Sequence, residues 1–292
     1  MSPGTPSADI VITLELVRGL LADQHPDLAD LPLRLVDSGW DNQMVRLGDQ
    51  LALRLPRRAV AAPLIVNEQT WLPHLAPRLP LPTPLPLHMG QPGRGYPWAW
   101  SVVPWLAGQT ADVAPLAPGQ AAVLGEFLRT LHQPAPAHAP RNPVRGCPLH
   151  TRQEAFRQRL ANLGAHADLI SPALLIEWEA ALAAPLEHAS TWIHGDLHPR
   201  NLLVVDGQLR GVIDWGDLAR GDPATDLAAF WMLWDDRDER DAGLAAYGPL
   251  SAAMMQRARG WALHLGVTLL ATGLHDHPRH AAIGVQTLQN LG

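Results

Sequence analysis

The sequence predicts an α+β protein in two lobes, a small N-terminal antiparallel sheet lobe and a larger, mainly helical C-terminal lobe. Two observations carry this. Between residues 33 and 104, short apolar segments alternate with turn residues, as consecutive strands do. Beyond residue 104 the apolar spacing becomes helical, broken by one hairpin signal, "LLVVDGQLRGVI". A chain of 292 residues, 47% hydrophobic, is long enough for one large core or two. The boundary is placed at Pro104, giving lobes 1–104 and 105–292.

After the opening "MSPGTPSA", "ADIVITLELVRGLLADQ" has helical spacing at Ile12, Leu16, Gly19 and Leu20. "LRLVDSGWDNQMVRLGDQLALRLP" reads as strand, loop, strand, a Gly48-Asp49 turn, and strand. "AAPLIVNEQTWLPHL" is an amphipathic helix carrying Glu68. Residues 73–97 are proline-dense and predicted extended, because proline lacks the N–H a helix needs. Within them "GQPGRGYP" is a hairpin turn between strands, and "YPWAWSVVPWL" is a buried strand ending near Pro104. "GQAAVLGEFLRTLHQ" is a helix and "PAPAHAPRNPVRGCP" a proline-rich connector. Two helical stretches follow from about 151 to 188. The hairpin turns on Asp206-Gly207, and helices resume from Pro223 to the end.

Composition narrows the function. A formal charge of -6 without an Arg-dense stripe argues against nucleic-acid binding. One cysteine, Cys147, cannot form an internal disulfide and fits a reducing compartment. Neither a signal peptide nor a run of the roughly 20 apolar residues a bilayer requires is evident. The expectation is a soluble, cytoplasmic protein without membrane partners; oligomeric state is left open. All 22 Lys+Arg residues are arginine, so chemistry that usually employs lysine must use arginine or go without.

The chemistry centres on "HGDLHPRN", residues 194–201. On a strand, His194, Asp196 and His198 would point one way and resemble a metal triad completed by Asp214. Pro199 and the late start of strand character at Leu202 oppose that reading. A polar loop whose Asp and Asn cap turns is the plain alternative. A third reading joins Asp196, Asn201 and, past a tight hairpin, Asp214. These are hard oxygen donors suited to Mg²⁺ and phosphoryl transfer, with Asp196 receiving or orienting the acceptor hydroxyl's proton.

"WIHGDLHPRNLLV" and "GVIDWGDLARGDPATDLA" resemble the aminoglycoside phosphotransferase family, kinase-like enzymes that act on small molecules. The likeness implies a bilobal protein-kinase-like fold, with ATP or GTP as donor and a small hydroxylated acceptor, an aminoglycoside by default. It makes Asp196 catalytic, Asn201 and Asp214 Mg²⁺ ligands, and His194 and His198 supports of the loop. Residues 1–104 become the nucleotide-binding lobe and 105–292 the catalytic and acceptor-binding lobe. Asp222 and Asp226 are read as a helix cap and loop anchors. Asp217 is open between indirect help to the metal and a surface role.

The chain departs from that family in two places. Arg54 stands where such kinases place the phosphate-gripping lysine, with Glu68 as its helix partner; the alternative is a surface arginine. No G-x-G-x-x-G is present, and "SGWDNQ", with Ser38, takes the place of the phosphate loop. The nucleotide base is expected against backbone near Val103 and Trp105, since Pro104 has no N–H. Relatives of this kind also act on macrolides and other metabolites, and the missing lysine leaves open a nucleotide-binding protein without turnover. The acidic run at 235–241 would attract a polycation or merely cap a helix. "HDHPRH", residues 275–280, is read as an exposed turn.

Overall fold

The computed structural model describes residues 6–186 and 190–292, without the side chains of Asp37 and Ser38. The end of the predicted helical stretch, residues 187–188, lies outside the described residues. Thr13 starts α1 (Leu14–Gln24), its hydroxyl accepting the Leu16 N–H at 3.1 Å. Val17, Leu20 and Leu21 on that helix are buried against one face of the sheet. The sheet contains β1 (Leu33–Ser38), β2 (Asn42–Leu47), β3 (Leu51–Pro56), β4 (His88–Gly90) and β5 (Trp100–Pro104). Its order is β1-β2-β3-β5-β4, antiparallel throughout.

α2 (Ala62–Leu75) leaves β3 and returns Glu68 beneath it. The helix runs through Pro73 to Leu75, three residues into the stretch expected to be extended. A proline so near the C-terminus forfeits only one ladder bond before the helix ends. The β4–β5 hairpin closes where "GQPGRGYP" was expected to turn, with Gly93 paired to Tyr96. Gly90 is obligatory there, because a Cβ would sit 1.8 Å from the Trp100 ring.

The larger lobe begins with β6 (Gln109–Thr110) and α3 (Gln120–Leu131), followed by α4 (Gln153–Ala161) and α5 (Pro172–Ala183). Then come β7 (Thr191–Ile193), β8 (Leu202–Val205), β9 (Gln208–Val212) and β10 (Ala219–Gly221). Five helices finish the chain: α6 (Ala224–Leu227), α7 (Ala229–Leu233), α8 (Arg237–Tyr247), α9 (Ala252–Asp276) and α10 (Pro278–Leu291). The architecture is the bilobal α+β fold that the sequence predicts.

Two differences matter for the site. β7, unforeseen, pairs with β10 in front of "HGDLHPRN", so the motif is a loop slung between β7 and β8. β9 stops at Val212, placing Asp214 beyond the strand rather than at its end. The β8–β9 turn has positive φ at both Asp206 (51°) and Gly207 (74°), as a tight two-residue hairpin turn requires.

Large aromatic side chains fill the second core, among them Trp178, Trp192, Trp215, Trp231, Trp234 and Trp261. α10 folds back along α9, and the "HDHPRH" corner between them departs from expectation. His275 is exposed, but His280 is buried and accepts from Arg200 at 2.7 Å. Trp40, from the β1–β2 loop, donates its indole N–H to His277 at 3.3 Å. The tight helical turnaround carries His280 inward while Pro278 and Arg279 stay exposed, which a reading of local polarity does not anticipate.

Candidate active site

The loop 194–201 is held from below. Asp226, fully buried on α6, accepts the N–H groups of His194 (2.6 Å) and Gly195 (2.8 Å), and His132 closes on the same carboxylate at 3.2 Å. Asp226 is thus a loop anchor, as expected. Gly195 has φ of +85°, and a Cβ there would lie 2.7 Å from the Asp217 carbonyl oxygen, so only glycine fits. The His194 ring packs on Trp215 at 4.8 Å and meets the Ile213 carbonyl at 3.0 Å. His198 turns the other way: its Nδ1 accepts the Arg200 N–H, and its Nε2 lies 3.4 Å from Asp196 Oδ2. The two histidines do not converge, and among the described residues no three His, Cys, Asp or Glu side chains group as metal ligands.

Asp196 is a focus of charge. Arg145 donates to Oδ1 at 3.0 Å, and Asn201 Nδ2 reaches the Asp196 carbonyl at 2.7 Å and Oδ2 at 3.4 Å. Burial works to raise the Asp196 pKa, but the charges of His198 and Arg145 outweigh it and hold the carboxyl well below the usual range. It is therefore ionised at neutral pH.

Asn201 and Asp214 are brought side by side by a backbone bond, Ile213 N–H to Asn201 C=O at 2.9 Å. Asp214 adopts φ of +61°, an uncommon conformation for a non-glycine residue. Its carboxylate is half exposed, with Oδ1 accepting from Arg54 at 2.9 Å. The same Arg54 nitrogen donates to Glu68 at 2.8 Å. Arg54 is only 5% exposed and Glu68 1%, so the surface alternative for Arg54 does not hold. Burial, the largest effect, raises Glu68 to about 7 against the pull of Arg54. Burial also acts to lower Arg54, but Glu68 and Asp214 outweigh it, and Arg54 stays charged.

The remaining predicted residues stand differently. The Ser38 side chain lies outside the described residues; its backbone ends β1. Val103 is buried in β5 opposite Ala52. The Trp105 N–H is donated to the Gln50 carbonyl at 2.7 Å. The turn out of β5 consumes that donor, and the next N–H belongs to Leu106.

Sequence reasoning missed Arg145 and Asn142, which lie in the proline-rich connector. Asn142 Oδ1 accepts the N–H groups of Val144 (2.9 Å) and Arg145 (3.0 Å), a side-chain turn that aims Arg145 at Asp196. The only available signal was "RNP" ahead of the arginine. Asn142 also donates to Asp217 at 2.5 Å. Burial, then the neighbouring Asp196 charge, raise Asp217 to about 6.

A pH prediction follows from Asp217. Its folded pKa lies above the ordinary aspartate value of 3.8, so its contribution to stability is complete below that value and is lost as pH rises through about 6. Asp217→Asn removes the titration. The variant is expected to gain stability relative to wild type as pH rises from about 4 to about 6, read as the difference in urea midpoints; a pH-independent difference would refute it.

A small cavity opens beside Asp196, lined by Arg145, His198, Met232, Leu265, Thr268 and Leu269. The acidic run is elsewhere: Asp236 caps α8, Glu239 accepts the Gly119 N–H at 2.8 Å, and Asp241 faces Arg237. The helix-cap reading of that run is the one the structure supports.

The model of the phosphotransferase enzyme family (APH) matches residues 32–261, well over half of the chain. A GDP complex of aminoglycoside 2'-phosphotransferase-IIIa is similar in fold, with a TM-score of 0.68 at 18% identity over 94% of this chain and 97% of that one. Macrolide 2'-phosphotransferase MphH from Brachybacterium faecium has a TM-score of 0.61 at 25% identity over 94% and 97%. A streptomycin–ATP complex of APH(2")-IIa has 0.59 at 16% over 89% and 90%. The comparison with curated proteins gives no match. Among the described residues no helix is long and apolar enough to cross a membrane.

Proposed function

Because this chain belongs to the aminoglycoside/macrolide phosphotransferase family of kinase-like small-molecule phosphotransferases, we propose that it moves the γ-phosphate of ATP or GTP to a hydroxyl of a small acceptor. The observation that carries this reading is the chain of contacts from Glu68 through Arg54 to Asp214, with Asp196 and Asn201 beside it. It links the two lobes at one polar cleft. Residues 1–104 form the nucleotide side of that cleft and 105–292 the catalytic and acceptor side.

Asp196 accepts a hydrogen bond from the acceptor hydroxyl and orients its oxygen toward the phosphorus. Held at low proton affinity, it takes the proton late, once the oxygen is bonding, as a loose phosphoryl transition state allows. His198 and Arg145 fix the carboxylate. Arg54 replaces the usual lysine and reaches the α- and β-phosphates through its planar fork, with Glu68 setting its direction.

The donor set at Asn201 and Asp214, an amide and a carboxylate with one oxygen turned to solvent, fits Mg²⁺. That ion commonly takes one or two protein oxygens and completes its shell with phosphates and water. When bound there, Mg²⁺ neutralises charge on the β- and γ-phosphates.

The default acceptor is an aminoglycoside, by likeness to the streptomycin-bound relative. A second reading, a macrolide acceptor, is favoured by the likeness to the macrolide phosphotransferase MphH. A nucleotide-consumption screen over aminoglycosides, macrolides and hydroxylated metabolites tests the reading. Acceptor-dependent release of nucleoside diphosphate supports it; nucleotide binding without turnover on any acceptor overturns it.

Arg54→Lys keeps the charge but loses the planar fork proposed to grip the phosphates. We expect KM for the nucleotide to rise about 10- to 100-fold, the equivalent of one or two charge-assisted hydrogen bonds. Steady-state kinetics over a range of nucleotide concentrations reads this directly. Unchanged KM would return Arg54 to a purely structural role.

A further inference from the structure

The β1–β2 loop takes the place of a phosphate loop but carries a single glycine, Gly39. Its base is held within its own lobe. Arg57, just past β3, donates its guanidinium to the Gly39 carbonyl at 3.0 Å and its N–H to the Asp41 carbonyl at 2.9 Å, while Arg58 pairs with the Asp41 carboxylate. The tip leaves that lobe. Trp40 donates its indole N–H to His277 Nε2 at 3.3 Å, across 237 residues. Its ring lies 6.4 Å from the His277 ring and 6.2 Å, edge to face, from that of His280.

The α9–α10 corner that receives Trp40 is fastened to the catalytic loop. Arg279 donates to both carboxylate oxygens of Asp112, at 2.6 and 2.7 Å, and to the Thr110 hydroxyl at 2.7 Å. The Asp112 side chain is only 5% exposed, and the neighbouring Ala111 N–H is bonded to the Pro199 carbonyl at 2.9 Å. Arg200 reaches His280 from the same loop. The His280 ring stands 6.1 Å from the ring of His198, itself 3.4 Å from Asp196. On the other side of the cleft, β2 carries the loop on to Met44, the residue paired with Arg54 of β3. The loop thus joins the Arg54 side of the cleft to the Asp196 side.

A loop ordered only when its ligand arrives takes that ordering cost out of the ligand's affinity. Glycines let a phosphate loop fold closely on its ligand. A short loop with one glycine is placed here by docking its indole, whose apolar body and polar N–H both find partners. We propose that Trp40 is a positioning residue for the phosphate donor: docked on His277 and His280, it holds the β1–β2 loop across the cleft before the nucleotide binds. The proposal rests on the phosphotransferase reading and deepens it by naming what sets the phosphate loop.

Two measurements on the full chain test it. Binding of the fluorescent N-methylanthraniloyl derivatives of ADP and GDP, with Mg²⁺, needs no acceptor. Trp40→Phe, which keeps a ring but loses the N–H, and His277→Leu are each expected to weaken it by about three- to tenfold, the range of one neutral hydrogen bond. The double variant should be no weaker than the weaker single one, because both changes remove the same contact. His277→Gln, whose side-chain carbonyl still accepts, should stay within about twofold of wild type. Hydrogen exchange without nucleotide should quicken over residues 39–42 in both single variants, with the urea midpoint unchanged. Equal affinity in wild type and variants, losses that add in the double variant, tighter binding, or exchange that does not quicken overturns the proposal and leaves the phosphotransferase reading standing. Wild-type protein that binds neither nucleotide overturns that reading and the proposal with it.

Discussion

Asp196→Ala is expected to lower phosphate transfer by about 10²- to 10⁴-fold, the range over which a positioned proton acceptor contributes, while nucleotide affinity stays within about twofold of wild type. The separation follows from geometry. Asp196 meets Arg145, His198 and Asn201, whereas the Arg54–Glu68 pair reaches Asp214 on the far side of the hairpin. Removing the carboxylate leaves Arg145 with Asp217 as its nearest counter-charge, so the loop keeps a positive partner in place. Asp196→Asn serves as the shape-preserving control, with the same loss in kcat expected. Single-turnover transfer and fluorescence-monitored nucleotide binding read the two quantities separately. Equal turnover by the alanine variant would sink the mechanism; a parallel collapse of nucleotide binding would make Asp196 a structural support.

The largest stability effect is expected at Asp222. Its carboxylate receives Arg257 Nε at 2.7 Å, and both side chains are almost wholly buried, at 3% and 2% exposure. Arg257 also donates to the Pro185 carbonyl, and Asp222 accepts the Ala224 N–H at 3.2 Å as α6 begins. Asp222 was anticipated as a cap; Pro223 takes that place and Asp222 sits just before it, its larger task being to neutralise an arginine inside the core. Asp222→Ala strands that charge, at an expected loss of about 3–5 kcal/mol, a large share of the roughly 5–15 kcal/mol that holds a domain together. Urea unfolding should show a lower midpoint. Replacing both partners with apolar residues, Asp222→Leu with Arg257→Met, should recover most of the loss, because no buried charge remains. A loss below about 1 kcal/mol in the single variant would mean that the arginine finds water or another partner.

Much of the site was legible in the chain because its parts are local. Asp196 to Asn201 span one loop, and a two-residue Asp-Gly turn dictates that Asp214 comes back beside them; such short-range geometry is written in residue order. The strand, turn and helix order of the N-terminal lobe is of the same kind, since alternation and punctuation are properties of neighbours in sequence. Arg54 and Glu68, both at positions named from the sequence, do meet, because a helix that closely follows the middle strand of the sheet has few ways to return to it.

What the tertiary structure alone decided involves distant partners. Arg54 meets Asp214 across 160 residues, and Arg145 leaves an unremarkable proline-rich connector to reach Asp196 across 51. The Trp105 N–H is spent on Gln50, and His280, polar and near the chain's end, is drawn inward by the fold of α10 on α9. Whether Arg257 would be buried, and with which carboxylate, rested on helix packing rather than on its neighbours. The sequence by itself determined the two lobes, the loop and the chemistry its carboxylates can perform. Which charges face each other, and so the protonation of Asp196, Glu68 and Asp217, was decided only when packing brought remote residues into a common low-dielectric space, where partners set proton affinity and sequence distance has no say.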